Sequence, residues 1–517
     1  MGGTGDLLLH ARHRADALRA RYRADRVWSG LPLDVVRSAA ADHPTRTALI
    51  ARDAEVSYAD LDTRVDAAAQ ALRAAGVSAD SPLVIVVGND IESVVIVHAA
   101  IRIDAVVLLV PRSAGAAQII DIVGRTGAVF GVAPGYGQEL PEGSCTWVNV
   151  DYTAEPAVRA STVRAADEPS FVLYTSGTTS RPKGVIHSLS TLLKASTNYI
   201  AAAGLAAEDR IFLISPLASV TGVVQALFIA PLLGAPIVLE DRWNPPATCD
   251  LLLSSKATWY GGPDRLLDRL LDEAGGRPVP LRAVYLGGTA LDRRIVERVE
   301  DDFGIVVMRA YGSSEVPVST SGLRTESRST RHADDGVPLQ DVEVREGSSG
   351  DPGECCIKGP HTFLGYADAD DDGAAFDGDW FRTGDVADLS GGRVRIVGRI
   401  KDIVIRNGLK IPSAEVEEAV SRIAGVRECA AYSVPDSRTG ERLAVALVLE
   451  AGADVSLSDV AGALIADGLP KYKLPEELVF WNQPLPINAN GKIERNTLHA
   501  RSNGRPRMLA DRLSVAP

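Results

Sequence analysis

Two long stretches of this chain repeat one pattern, in which short apolar runs of strand length alternate with longer amphipathic segments, and this pattern limits the fold more than any other feature. Between about residues 31 and 132, runs 83–87 and 106–110 alternate with Ala-rich segments such as 61–75. After Ser170 the rhythm returns, with runs 171–174, 211–215, 237–240, 258–261 and 283–286 separated by helical periodicity. Runs that are apolar on both faces must be covered on both sides, so they are expected to be parallel strands of doubly wound α/β sheets. Past Gly336 the texture shifts to short segments rich in Gly and Asp, notably 347–353 and 368–379, which predict hairpins in a small β subdomain. From near Gly398 the rest reads as a compact α+β unit with one helix predicted over 413–423, N-capped by Ser413.

A chain of 517 residues, 46% of them hydrophobic, is too long for one ordinary core, so two or three domains are expected. Its formal charge of -13 argues against broad contact with a phosphate backbone, and no nucleic-acid partner is expected. The five cysteines show neither a C-x-x-C pair nor His at metal-ligand spacing, so they read as buried or idle thiols. Adjacent Cys355 and Cys356 should point to opposite faces of one strand. The apolar run 7–9 is too short for a signal peptide, and Asp6 stands where a myristoylation signal needs Ser or Thr. The most apolar stretches, near 94–110 and 223–239, are broken by charged residues, Pro and Gly, so no membrane span is expected and a cytoplasmic location is.

Directly after a buried strand comes Tyr174-Thr-Ser-Gly-Thr-Thr-Ser-Arg-Pro-Lys-Gly-Val185. Small hydroxyl residues and glycine offer backbone N–H and side-chain O–H groups to phosphate oxygens, and a lysine adds charge. The string is not the P-loop of common NTPases, because Lys183 is preceded by Pro182 and followed by Gly184. It resembles the signature of the acyl-adenylate-forming superfamily, which includes acyl-CoA ligases, aryl-acid ligases, peptide-synthetase adenylation domains and luciferases.

Further segments carry the resemblance from residue 56 to Lys492. Tyr311-Gly-Ser-Ser-Glu315 is similar to the family element in which the aromatic ring packs on adenine, the hydroxyls touch phosphate and the glutamate serves Mg²⁺. The resemblance thus assigns ATP contacts to Thr175, Ser176, Gly177, Thr178, Thr179, Lys183, Tyr311, Gly312 and Ser313, and catalytic roles to Ser314 and to Glu315, the latter as metal ligand. Phe381-Arg-Thr-Gly-Asp385 resembles the element whose aspartate accepts hydrogen bonds from the ribose hydroxyls, as suits an acceptor-only carboxylate. Gly398-Arg-Ile-Lys-Asp402 resembles the hinge, with Arg399 near the ribose and Lys401 at the pivot. Gly287-Gly288-Thr289 resembles the turn that lets adenine and the acyl pocket approach backbone. Pro486-Ile-Asn-Ala-Asn-Gly-Lys492 resembles the catalytic-lysine loop, whose ammonium would offset charge at the α-phosphate. Gly408 and Lys410 fall where the family brings a loop to the thiol tunnel. The implied architecture is two doubly wound α/β subdomains plus a β subdomain in residues 1–400, followed by a small mobile α+β domain in 401–517.

The chain departs from the family between these motifs. Where an aromatic gate is usual, Pro216-Leu-Ala-Ser-Val-Thr-Gly222 places Ser219. No aspartate stands between Pro216 and Leu233 to pair with an α-ammonium group, which disfavours amino acids, and the asparagine of aryl-acid ligases is also absent. The expected acyl lining, Leu217, Ser219, Val220, Thr221, Tyr260, Gly261 and Gly287, is mostly apolar. Segments 217–239, 183–188 and 21–28 resemble bacterial CoA ligases of the cyclohexanecarboxylate and carnitine/crotonobetaine type.

The function this implies is an acid–thiol ligase. A carboxylic acid and Mg-ATP give acyl-adenylate and pyrophosphate, and a thiol, CoA or carrier-protein phosphopantetheine, then displaces AMP while the C-terminal domain rotates. An aliphatic or alicyclic acid with CoA as acceptor is the leading expectation. A stand-alone enzyme loading an acyl carrier protein and a non-catalytic nucleotide-binding relative remain as alternatives. Oligomeric state stays open, with a homodimer as the working expectation.

Overall fold

The computed structural model describes residues 8–14, 16–136, 139–175, 181–287, 291–487 and 493–514. Among these, the apolar runs become interior strands of two sheets. The first sheet runs, in spatial order, Thr146–Trp147, Phe130–Val132, Pro82–Val87, Val106–Pro111, Pro169–Tyr174 and Gly184–Ser188. It is parallel until its last pair, Pro169–Tyr174 with Gly184–Ser188, which is antiparallel. That reversal sets up the site, because Tyr174 and Gly184 pair directly and the chain between them must leave and re-enter at one strand end.

The second sheet has a parallel centre formed by Val306–Tyr311, Ala283–Gly287, Trp259–Gly262, Ile211–Leu213, Ile237–Leu239 and Thr47–Ile50. Antiparallel edges, Glu55–Ser57 on one side and Thr320–Ser321 with Val337–Pro338 on the other, close it. The two sheets share one core. Leu83, Ile85, Val107 and Phe171 of the first pack with Leu213, Trp259, Tyr285 and Met308 of the second, with the helices Ile91–Arg102 and Leu189–Ala203 contributing. Alternate residues Val84, Val86, Leu108 and Val172 are buried on the other face of the first sheet, which is why these strands read as continuous apolar runs.

Local chemistry fixes the flanking helices. Tyr58–Ala74 begins three residues before the predicted segment, capped by Ser57, whose Oγ accepts from the Asp60 N–H at 3.1 Å. The expected Ser413 cap is corrected: the helix Ser413–Ser421 has Pro412 at its N-cap, and the Ser413 hydroxyl instead donates to the Asp402 carbonyl at 2.6 Å. Proline's fixed φ suits a helix entry, which frees the serine to tie the helix to the preceding turn.

A smaller sheet follows, built from Glu343–Glu346, Glu354–Lys358, Phe376–Asp377, Trp380–Asp388 and Arg395–Arg399. In it Cys355 faces a core with Phe363 and Phe381, while Cys356 lies 3.6 Å from the Gly347 carbonyl on the other side. Through the turn Ile400–Asp402 the chain enters a last sheet, whose hairpin Ile403–Arg406 and Leu409–Pro412 turns on Asn407 and Gly408 at φ 52° and 78°. A two-residue hairpin with both φ positive is the geometry that Asn-Gly supplies. No helix among the described residues is long and apolar enough to cross a membrane.

Candidate active site

A cleft of about 2660 Å³ opens at the carboxyl ends of the parallel strands of both large sheets, where ligands of open α/β sheets bind. Tyr174, Thr175 and Lys183 line one wall, and Gly287 with the segment from Ala310 to Glu315 lines another. Asp385, Arg399, Lys401 and the C-terminal residues Ile493, Glu494 and Arg495 complete it. Segments far apart in sequence, flanking the hydroxyl loop, the Tyr311 turn, the Asp385 strand and the hinge, therefore face a single space.

The hydroxyl loop has a closed neck. The Thr175 N–H donates to the Lys183 carbonyl at 3.0 Å, and the Lys183 N–H reaches Thr175 Oγ1 at 3.4 Å. The Lys183 ammonium lies 3.3 Å from Asp371 and 4.7 Å from the centre of the Tyr366 ring. Arg181 pairs with Asp368 and Asp371, both at 3.3 Å, so an acidic turn lies against the cations of this loop.

The Tyr311 element is held by close backbone packing. A Cβ on Gly312 would stand 2.5 Å from Val318 N and 2.7 Å from the Val316 carbonyl, and one on Gly287 would stand 2.3 Å from the Ala310 carbonyl. Only glycine fits either place. Val318 sits at φ 35°, a strained conformation for a β-branched residue, of the kind that collects at functional sites. The Tyr311 hydroxyl donates to Asp385 Oδ2 at 2.6 Å, and burial first, with the Asp385 charge second, raises its pKa well above the usual phenol range. Arg399 Nε stands 3.4 Å from Asp385 Oδ1. Burial, and then the neighbouring Arg399, lower the pKa of Lys401.

Glu315 is oriented by two groups that sequence reading missed. The Tyr366 hydroxyl donates to Glu315 Oε1 at 2.8 Å, and the Phe363 N–H donates to the Glu315 carbonyl at 2.8 Å. His187, fully buried, places Nε2 2.7 Å from the Ser314 carbonyl and Nδ1 3.0 Å from Thr191 Oγ1. Burial lowers its pKa to about 4, so near neutrality it is uncharged and can act as an N–H donor to that carbonyl. Neither residue carries a distinctive pattern. Tyr366 is one aromatic after a glycine, and His187 lies inside an apolar strand.

Around Ser219 the expected acyl lining divides. Ala218, Ser219 and Gly287 face the cleft. The Ser219 hydroxyl donates to the Pro216 carbonyl at 2.6 Å and accepts from the Gly222 N–H at 3.1 Å, which makes it the cap of Val220–Gly222, the turn that leads into the π-helix Val223–Ile229. Leu217 is buried in the shared core and pinned through its N–H, at 2.8 Å, by Asn89, another residue sequence reading missed; Val220 and Thr221 are half-buried. The expectation for Tyr260 is corrected. Strand alternation turns its side chain to the opposite face, among Phe212, Val284 and Leu286, where its hydroxyl donates to the Pro263 carbonyl at 2.8 Å. Gly261 does face the shared core, beside Tyr199 and Gln225.

In this arrangement Gly408 and Lys410 lie away from the cleft. The Lys410 ammonium instead bonds Asp351 of the smaller sheet at 2.5 Å, which holds the Asp351 carboxyl below its ordinary pKa. Arg294 adds a second tie between the two halves, donating to the Val426 carbonyl at 2.6 Å. Ile487 and Ile493 pair as a bridge, and Ile493 faces the cleft. Ser176, Gly177, Thr178, Thr179, Gly288, Thr289 and Lys492, which the sequence also assigns to the site, lie outside the described residues.

A family model described as AMP-binding enzyme matches residues 36–367, and one described as AMP-binding enzyme C-terminal domain matches residues 415–492. Triostin synthetase I of Streptomyces triostinicus is 30% identical, covering 94% of this chain and 97% of its own length. A methyl-dioxo-octahydro-indenyl-propanoyl:CoA ligase of Mycobacterium tuberculosis is 29% identical, covering 88% of this chain and 96% of its own. Among solved structures, o-succinylbenzoate coenzyme A synthetase of Bacillus subtilis in complex with ATP and magnesium ion matches with a TM-score of 0.79 at 25% identity, covering 90% of this chain and 99% of that one.

Proposed function

This chain belongs to the AMP-binding enzyme family, and on that premise we propose that it is an ATP-dependent acid–thiol ligase that converts an aliphatic or alicyclic acid with an uncharged acyl chain or ring to its CoA thioester. The supporting observation is the convergence on one cleft of Lys183, Tyr311, Glu315, Asp385 and Arg399. In the first half-reaction a carboxylate oxygen attacks the α-phosphorus of ATP and the bond to pyrophosphate breaks. In the second, the CoA sulfur attacks the acyl carbon, the thiol proton is lost, and AMP leaves with the bonding pair.

On this reading Thr175, Lys183 and the hydroxyl loop between them cradle phosphates, while Tyr311 packs on adenine. Asp385 accepts from the ribose hydroxyls, exchanging its bond from Tyr311 for the vicinal diol. Lys492 offsets charge as the α-phosphorus becomes five-coordinate. Glu315 fits a magnesium ion, because Tyr366 occupies only Oε1 and no described residue bonds Oε2. When bound, Mg²⁺ neutralises phosphate charge with one carboxylate and waters as its other ligands. Acid-dependent exchange of labelled pyrophosphate into ATP is expected, followed by thioester formation with CoA. Absence of exchange across a broad acid panel, in protein that still binds ATP, would overturn the reading. Thioester formation only with a carrier protein would move the acceptor.

The Lys410–Asp351 pair supports an assignment of this orientation to the adenylating half-reaction, since it forms while the segment after Lys492 faces the cleft. Lys410 is half exposed, so the pair contributes at most about 1 kcal/mol. Asp351→Asn is expected to slow pyrophosphate exchange by up to about fivefold and leave single-turnover thioester formation from preformed adenylate unslowed. Because Lys410 depresses the Asp351 pKa, the contact's contribution holds at neutral pH and is lost as pH falls through that lowered value. Equal slowing of both half-reactions would refute the orientation-specific role.

A further inference from the structure

The segment 359–379 carries contacts on which the proposed site depends. The Tyr366 hydroxyl meets Glu315 Oε1, and Asp371 stands against Lys183. Residues 364–367 lie along the strand Gly184–Ser188, with the Leu364 N–H donating to the Ile186 carbonyl at 2.8 Å and the Ala367 N–H to the Gly184 carbonyl at 2.7 Å. Elsewhere the same segment is held by an N-terminal arm, residues 8–14 and 16–28, which precedes the residues matched by the family model. Leu8 and Ala11 are buried in the core of the first sheet together with Leu364. The Arg14 guanidinium lies 3.4 Å from the centre of the Phe376 ring and donates to the Gly378 carbonyl at 2.9 Å, and the Trp28 indole N–H donates to the Pro360 carbonyl at 3.1 Å. Apolar burial, a cation over a ring and hydrogen bonds to backbone thus fix the arm to this segment at separate points.

Between Leu8 and Ala11 the arm presents His10 to the backbone of Tyr366. His10 Nε2 is hydrogen-bonded to the Tyr366 carbonyl, which can only accept, so that nitrogen carries the hydrogen. The same nitrogen stands 3.6 Å from Asp372 Oδ2, and Asp372 Oδ1 accepts from the Tyr366 N–H at 2.8 Å. Both backbone polar groups of Tyr366 are therefore held, one by His10 and one by Asp372. A tyrosine ring has few torsions of its own, so the place of its hydroxyl follows the place of its backbone. At the far end of that ring the hydroxyl donates to Glu315 Oε1 at 2.8 Å. His10 and Glu315 are thus joined through a single residue, Tyr366.

Resting on the ligase reading above, with Glu315 as the magnesium ligand, we infer that His10 is a positioning residue for the metal site: by holding the backbone of Tyr366 it sets the hydroxyl that orients Glu315. Groups that orient a metal-binding carboxylate govern the affinity of the metal. Two readouts test this, the Mg²⁺ concentration for half-maximal pyrophosphate exchange and, without acid, the gain in ATP affinity on adding Mg²⁺, measured by titration calorimetry. His10→Ala is expected to raise the first and to reduce the second, each by at least about threefold. His10→Gln, whose amide nitrogen can reach the same carbonyl, is expected to stay within about 1.5-fold of wild type. Because His10 acts through Tyr366, His10→Ala is expected to change neither quantity by more than about 1.5-fold in a Tyr366→Phe background. Thermal melts record any loss of stability separately. An unchanged Mg²⁺ dependence in His10→Ala overturns the inference, as does an effect that persists in full in Tyr366→Phe. An unchanged Mg²⁺ requirement in Glu315→Gln would instead sink the metal assignment beneath it, and absence of exchange with every acid the ligase reading itself.

Discussion

Replacing Lys492 by alanine is expected to slow acyl-adenylate formation by about 10²- to 10³-fold, on the scale of removing one preorganised electrostatic donor, about 3–4 kcal/mol. The loss should fall on kcat, because a cation that meets charge developing at the α-phosphorus acts more strongly on the transition state than on bound substrate. Thioester formation from isolated acyl-adenylate and CoA should be far less affected, since phosphorus stays four-coordinate in that step and the proposed rotation of the C-terminal domain has by then withdrawn Lys492. Pyrophosphate exchange reports the first half-reaction and single-turnover transfer the second. Normal adenylate formation with failed transfer would refute the assignment.

Glu315→Gln tests the other pole of the cleft. Glutamine preserves the length of the side chain and an oxygen for the Tyr366 hydroxyl, but removes the charge a magnesium ion needs. Exchange activity is expected to fall by about 10²-fold, with the Mg²⁺ concentration for half-maximal rate shifted upward. Tyr366→Phe should do much less, because it frees a carboxylate oxygen rather than removing charge. An unchanged Mg²⁺ requirement in Glu315→Gln would remove that residue from the metal site. Activity and metal dependence are separate readouts, so loss of folding cannot mimic the result.

The fold was legible in the chain where strands are covered on both faces, because helices on either side of a parallel sheet leave runs such as Pro82–Val87 without polar interruption. The same property hid the direction of individual side chains. Tyr260 and Gly261 are adjacent and neither is polar enough to mark solvent, so only the structure tells which of them faces the shared core. Motif residues stood out because the chemistry proposed for them constrains their types, as with Tyr311 at the end of its strand and Asp385 within Trp380–Asp388. Their supports were not: Tyr366, His187 and Asn89 act through one or two long-range bonds to backbone or side chain, which leave no local pattern. Helix starts failed for a related reason, since Pro412 and Ser413 both suit a first turn and the Asp402 carbonyl decided between them.

The acidic turn against Lys183 has a consequence for nucleotide traffic. If Lys183 meets the phosphates as proposed, then with Asp371 already 3.3 Å from the ammonium an incoming triphosphate exchanges one anion for another. Its affinity is then the difference between two ion pairs, smaller than a bare lysine would give. The same carboxylate stands ready to recapture the cation when pyrophosphate departs, so weaker retention of ATP accompanies faster clearance of product.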